Sequence, residues 1–183
     1  MSIKSRYLKL FDELNVLFEK IEKKEKAKDD IIDFLIDAYF EGFISVRELL
    51  GFDYEIKTEN LVENLKWEYE GITIEQKITD YLEQQNYEDL KRLVDSEIHR
   101  SYNKGANDYV VEVEENEGIT LKKTWVTMGD EKVRDTHAYL EGITIDSNAH
   151  FVTFDGDRAL FPGAFTKAQN NARCRCLLIY TVE

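Results

Sequence analysis

Apolar residues recur along the start of the chain at alternating steps of four and three. Ile3, Tyr7, Leu10, Leu14, Leu17 and Ile21 make one stripe, Phe11 and Phe18 widen it, and Lys and Glu fill the opposite face. The spacing predicts a helix over 3–24. Its seam is heptad-like but only three heptads long, so a bundle helix and self-association through the N-terminal helices are both open. Lys23–Lys28 reads as a charged connector, and Asp29 or Asp30 is placed to cap a second helix. Ile32, Leu35, Ile36, Tyr39, Phe40 and Phe43 form its stripe, and Val46, Leu49 and Leu50 extend it. Gly42 interrupts it and invites a division into two short helices, and Gly51 supplies a C-cap. Thr58 opens a third helix through Leu61, Val62, Leu65 and Trp67, ending near Gly71. Thr73 to Gln76 fits a capping box for a fourth, whose face carries Ile74, Ile78, Tyr81 and Leu82. Asn86 caps a fifth, with Leu90, Leu93, Val94, Ile98 and Tyr102 inward, and Gly105 is expected to end it.

The period changes at Asp108. Tyr109, Val111 and Val113 recur at every second position, Glu114–Gly118 reads as a turn, and Ile119, Leu121, Lys123 and Trp125 alternate again, so a hairpin is expected. Asp130 is placed to cap a short helix that puts Val133, His137 and Leu140 on one face and ends at Gly142. Phe151–Phe154 reads as a short strand followed by the turn Asp155-Gly156-Asp157, and Phe161-Pro162-Gly163 as a second turn. Cys174–Val182 reads as a central strand covered on both faces, with Cys174, Cys176, Leu178 and Tyr180 on one side. The pattern therefore predicts an α+β protein. An acidic helical region over 1–105 precedes a small antiparallel sheet module with one short helix over 106–183.

Charge sharpens that division. The net charge is −13, yet residues 121–183 carry eight basic and eight acidic side chains. The first 120 residues carry sixteen basic and twenty-nine acidic ones, so the helical part holds the whole excess. Tight nonspecific binders of nucleic acid are basic, which makes free DNA a poor partner for this region. No run of eighteen apolar residues marks a membrane span, and Met1-Ser2-Ile3-Lys4 lacks an apolar signal core, so a cytosolic chain is expected. The two cysteines, one residue apart, are no disulfide framework and are read as reduced thiols.

Candidate chemistry gathers in the last sixty residues. One imidazole and two thiolates from His137, Cys174 and Cys176 could hold zinc, with His150 or an aspartate as fourth ligand. Against this, a strand splays its i and i+2 side chains, and a packed core histidine beside two small core cysteines fits the same residues. Arg134, Asp135, Arg173 and Arg175 suggest a structural ion network, or a phosphate contact through the two arginines of Arg-Cys-Arg-Cys. His137, Asp135 and Asp130 could serve as acid, base and metal ligand, but Asp135 and His137 point to different helical faces. No glycine-rich phosphate loop, Gly-x-Ser-x-Gly or His-Glu-x-x-His is present. No residue is assigned as catalytic and no cofactor is expected, zinc being the one candidate.

Taken in order, Trp125, Asp130, Arg134, His137, Leu140, Gly142, Pro162, Gly163, Cys174, Arg175 and Cys176 resemble the C-terminal module of the phage head-morphogenesis family, the Mu F-like minor head proteins. Ser96–Gly105 resembles the helix that precedes the module, so the likeness covers about residues 90–183. One position departs: the asparagine before Cys-Arg-Cys is Arg173 here, with Asn170 and Asn171 just upstream, and Asn171 is placed to bond a backbone turn from a shifted position. The resemblance implies a structural minor capsid protein, not an enzyme, acting in procapsid and virion assembly. Its implied place is the capsid interior or portal vertex, reached from the host cytoplasm. Its implied partners are portal and major capsid proteins and, in some relatives, packaged DNA. The rival reading is a metal-dependent hydrolase or nuclease, or a phage-borne toxin, using His137 and its neighbours.

Overall fold

The computed structural model describes residues 3–21, 27–69 and 71–182. Most of the expected connector at Lys23–Lys28 lies outside them. Helix α1 (Ile3–Ile21) buries Tyr7, Leu10, Leu14, Phe18 and Ile21 inside the chain's own core, so its seam serves as one wall of a bundle. Helix α2 (Ala27–Leu50) ends where Gly51, at φ 81°, donates its N–H to the Arg47 carbonyl. α2 is continuous through Gly42, against the expected division.

Helix α3 (Thr58–Leu65) is shorter than expected. Trp67 falls beyond its end, before the two-residue strands β1 (Glu68–Tyr69) and β2 (Ile72–Thr73), which pair antiparallel. Helix α4 (Ile74–Glu83) is capped by Thr73, whose hydroxyl accepts from the Gln76 N–H. The reciprocal half of the expected box is absent, because the Gln76 amide turns to Asp80. Asn86 caps helix α5 (Tyr87–Glu117) by accepting from the Asp89 N–H.

Gly105 does not end α5, and no strand occupies 108–113. Ala106, Tyr109, Val110 and Val113 are buried while Val111 is 41% exposed, which is helical spacing. The true terminator is Gly118, in the left-handed conformation at φ 66°. Both glycines read as interruptions instead mark the crossing of α2 and α5. A Cβ on Gly42 would stand 1.9 Å from the Tyr102 carbonyl oxygen, and one on Gly105 would stand 2.0 Å from that of Tyr39.

Strand β3 (Leu121–Val126) turns Leu121, Lys123 and Trp125 inward. Helix α6 (Asp135–Ala138), strand β4 (Thr144–Asp146), the hairpin β5 (Phe151–Val152) with β6 (Arg158–Ala159), helix α7 (Ala168–Asn171) and strand β7 (Leu177–Val182) complete the chain. The main sheet is antiparallel in the order β4-β3-β7, so β3 is central and β7 lies at an edge. The expected central strand at Cys174–Val182 starts only at Leu177. Ile179 on it is 40% exposed. No described helix is long and apolar enough to cross a membrane.

Among the described residues, two buried clusters fill the fold. One lies among the helices, and the other joins the sheet to Phe43 and Val46 of α2 and to Ala106–Val113 of α5. Between them sits a buried polar layer on α5. His99 is enclosed there, its Nδ1 2.8 Å from the Tyr7 hydroxyl, and burial lowers its pKa to about 3. An unfolded histidine titrates near 6.5. Between those values the unfolded chain binds the extra proton, so this residue's contribution to stability falls as pH drops from about 6.5. Urea midpoints at neutral and acid pH will show a steeper acid loss for the native chain than for His99→Gln. Equal slopes would assign the acid loss elsewhere.

Candidate functional site

Trp125 sits near the C-terminal end of the central strand, fully buried, and the site is built around its ring. Gly142, at φ 74°, returns the chain after α6 so that its N–H donates to the Trp125 carbonyl. That turn brings α6 over the sheet and drives the His137 ring inward, where it is 1% exposed. Trp125 meets His137 edge-on at 5.4 Å between ring centroids, and Phe165 stacks on it at 5.4 Å and 27°. Phe151 closes the other side of Trp125 at 5.0 Å.

Both cysteines converge on the same imidazole. Cys174 Sγ and Cys176 Sγ each lie 3.4 Å from His137 Nδ1, and both are buried free thiols. The splaying expected of a strand does not arise, because residues 174–176 precede β7. Arg173 takes φ 53° and the Cys174 N–H donates to the Asn171 carbonyl, so the chain turns before it extends. Burial pushes the Cys174 thiol up, but its bond with Cys176 and the nearby Arg134 and Arg175 guanidiniums outweigh that and hold it below the ordinary thiol value. The same bond, then burial, pushes Cys176 above it. His150 is exposed and outside this cluster, so it does not supply a fourth ligand.

The expected ion network takes a different form. Arg175 forks onto Asp130 at 2.6 and 2.8 Å, which lowers the Asp130 pKa. Arg134 donates to the carbonyls of Gln169 and Ala172 at the end of α7. Asp135 starts α6 at the surface and Arg173 is exposed, its N–H donating to the Ser96 hydroxyl. Asp130 caps only a turn, through the Lys132 N–H, and Arg134 takes the N-cap position of α6. Thus Trp125, His137, Cys174 and Cys176 form the centre, Asp130 and Arg175 its rim, and Arg134 a brace. The trio His137, Asp135 and Asp130 is not assembled as an acid, base and metal ligand.

Asn171 bonds the chain from its shifted position: its side chain accepts from the Phe165 N–H at 2.9 Å and donates to the Phe165 carbonyl at 2.6 Å. This clamp holds the ring that stacks on His137. Asn171→Ala is expected to cost about 1–3 kcal/mol for each buried backbone group left without its partner. Denaturant midpoints will check it, and a change within error would show that water replaces the amide.

Two contributors had no sequence signal. Asp157, 3% exposed, accepts from Asn170 Nδ2, the Thr166 hydroxyl and the backbone N–H groups of Arg158, Thr166 and Lys167. Burial alone would raise its pKa, but these donors hold it below the ordinary value. Lys123, inward beside Trp125, donates to the Leu160 carbonyl at 2.7 Å, and burial lowers its pKa to about 7. Pro162 and Gly163 make the expected turn, with Ala164 N–H bonded to the Phe161 carbonyl. Gly163, at φ 91°, lies against Arg100 of α5, where a Cβ would stand 3.0 Å from Arg100 Cα.

Comparison with known proteins gives this architecture relatives. The chain is 28% identical over 120 residues to NAD(+)--arginine ADP-ribosyltransferase EFV of Enterococcus faecalis (strain ATCC 700802 / V583), covering 58% of this chain and 24% of that protein. It is 29% identical over 65 residues to Minor head protein GP7 of Bacillus phage SPP1, covering 36% of this chain and 21% of that protein. The chain thus spans about a quarter or less of the curated relatives it matches. No solved structure matches it. The family model described as Phage Mu protein F like protein matches residues 59–179, a span that takes in α4, α5, the central strand and the whole histidine–cysteine cluster. The chain belongs to the Phage Mu protein F like family.

Proposed function

We propose that the protein is a minor component of a phage head and acts in procapsid and virion assembly, at or near the portal vertex. The observation that carries this reading is the family match over residues 59–179, which takes in α4, α5 and most of the sheet module but not α1 and α2. The SPP1 relative is named a minor head protein, in line with it. The transferase activity in the name of the Enterococcus relative belongs to that protein, of which this chain spans 24%.

The chemistry of the described residues favours a structural role. His137 is enclosed by Trp125, Phe165 and two sulfurs, so a substrate has no approach to it. The guanidiniums of Arg175 and Arg134 beside it are spent on Asp130 and on the α7 carbonyls. The acidic excess of the helical part gives a surface that docks on portal or major capsid proteins and is kept off DNA by repulsion. In this reading the protein is made in the host cytoplasm and ends in the virion.

Co-expression with the portal and major capsid proteins of the same phage tests this. Procapsids isolated by sedimentation are expected to contain the chain in a few copies each by quantitative mass spectrometry. Particles that form without incorporating it overturn the proposal.

A further inference from the structure

We propose that His137, Cys174 and Cys176 form a binding site for a thiolate-preferring divalent metal ion, zinc in class, that cross-links α6 to the segment leading into β7. The inference does not rest on the assembly role. Its first support is convergence. The three ligand atoms lie within 4.8 Å of one another, and Nδ1 is 3.4 Å from both sulfurs. In a tetrahedral site with Zn–N near 2.0–2.1 Å and Zn–S near 2.3 Å, the nitrogen–sulfur edge is about 3.5 Å. A hydrogen bond does not explain two equal contacts. An imidazole Nδ1 offers one in-plane proton or one lone pair, so two equal sulfur contacts would have to share it. A lone pair aimed at one ion, with both thiolates on the same ion, satisfies all three atoms at once.

The surroundings suit an ion of that charge. Two buried thiolates balance a divalent cation, so the site is neutral once filled. The nearest guanidiniums are already committed, Arg175 to Asp130 and Arg134 to backbone carbonyls. The space beside the cluster is a cavity of ≈ 10 Å³ reaching Met128 and Val133. That is about the room one water needs, so solvent can complete the coordination but a substrate cannot. Such a site is structural. It joins segments 37 and 39 residues apart, as a disulfide would, without requiring oxidation. Among the described residues the buried His137 Nε2 has no hydrogen-bond partner, so the stacked Phe165 ring and the edge-on Trp125 ring orient the imidazole in place of an outer acceptor.

The test uses the full chain, carrying a histidine-free tag and purified without chelator. Elemental mass spectrometry is expected to find about one zinc per chain. Cobalt(II) added to chelator-stripped protein should give intense tetrahedral bands with thiolate charge transfer, and zinc should abolish them. The melting temperature should fall on chelation and recover with zinc. Cys176→Ser should lose the cobalt bands. Because that variant could unfold for other reasons, the wild-type cobalt titration decides. A wild-type chain that holds no metal, gives no cobalt–thiolate band and melts alike with and without zinc overturns the proposal. A Cys174–Cys176 disulfide in freshly purified chain, seen as a two-hydrogen mass deficit, overturns it as well.

Discussion

Gly105→Ala is expected to destabilise the protein by about 3 kcal/mol or more, the upper end of overpacking costs, although alanine is the better helix former by about 1 kcal/mol. The two effects oppose each other, and geometry decides the sign. The new Cβ would stand 2.0 Å from the Tyr39 carbonyl oxygen, 2.9 Å from its carbon and 3.2 Å from the Phe43 nitrogen. These are backbone atoms of α2, so no rotamer change relieves the clash and the helices must separate. Gly42→Ala meets α5 in the same way, at 1.9 Å from the Tyr102 oxygen. The two substitutions break one crossing, so their combined cost should be less than the sum. Urea unfolding of both single variants and the double one measures this. A Gly105→Ala midpoint equal to or above the native one would mean that the helices part at no cost.

Arg100→Ala is the second large effect, expected to cost about 3–5 kcal/mol, as when one member of a buried ion pair is removed. Arg100 is 1% exposed and Glu97 is fully buried. Its Nε donates to Glu97 at 2.8 Å, its two terminal nitrogens reach the Asn64 side chain and carbonyl at 2.9 Å, and its guanidinium lies over Trp67 at 5.0 Å. Alanine would leave the Glu97 carboxylate with the Tyr69 hydroxyl and, among the described residues, no counter-charge. Replacing Arg100 with methionine and Glu97 with leucine together should recover part of the loss, because no buried charge then remains unpaired. Denaturant midpoints of the single and double variants separate the charge effect from lost packing. An Arg100→Ala midpoint unchanged from the native one would show that water reaches Glu97.

Repeated apolar spacing made most of the helices legible. Tyr7, Leu10, Leu14, Phe18 and Ile21 are buried as one face, and Thr73, Asn86 and Gly51 cap the helices they were expected to cap. Local pattern failed where a distant backbone decides. Gly42 and Gly105 look like breaks because a glycine's local cost is visible in sequence, while the facing carbonyl is not. Tyr109, Val111 and Val113 imitate a strand because periods of two and of 3.6 coincide over a few residues. Within the site, His137, Cys174 and Cys176 were legible as a set because their types have few other uses together. Their shared focus was hidden by reading 174–176 as strand, when Arg173 turns the chain first. Asn171 was legible only through the family's pattern, and Asp157 was hidden because most of its donors are backbone N–H groups, which leave no signature in residue type.

The uninterrupted α5 has a mechanical consequence. Its thirty-one residues span about 46 Å as a straight rod. One half is embedded among the helices and the other under the sheet. Where α2 crosses it, only glycine hydrogens separate the two backbones. Such a beam has no compliant joint along its length. A push delivered at the helical end by a neighbouring protein would reach the strands as a rigid tilt, with the two ends moving together as the arms of a lever.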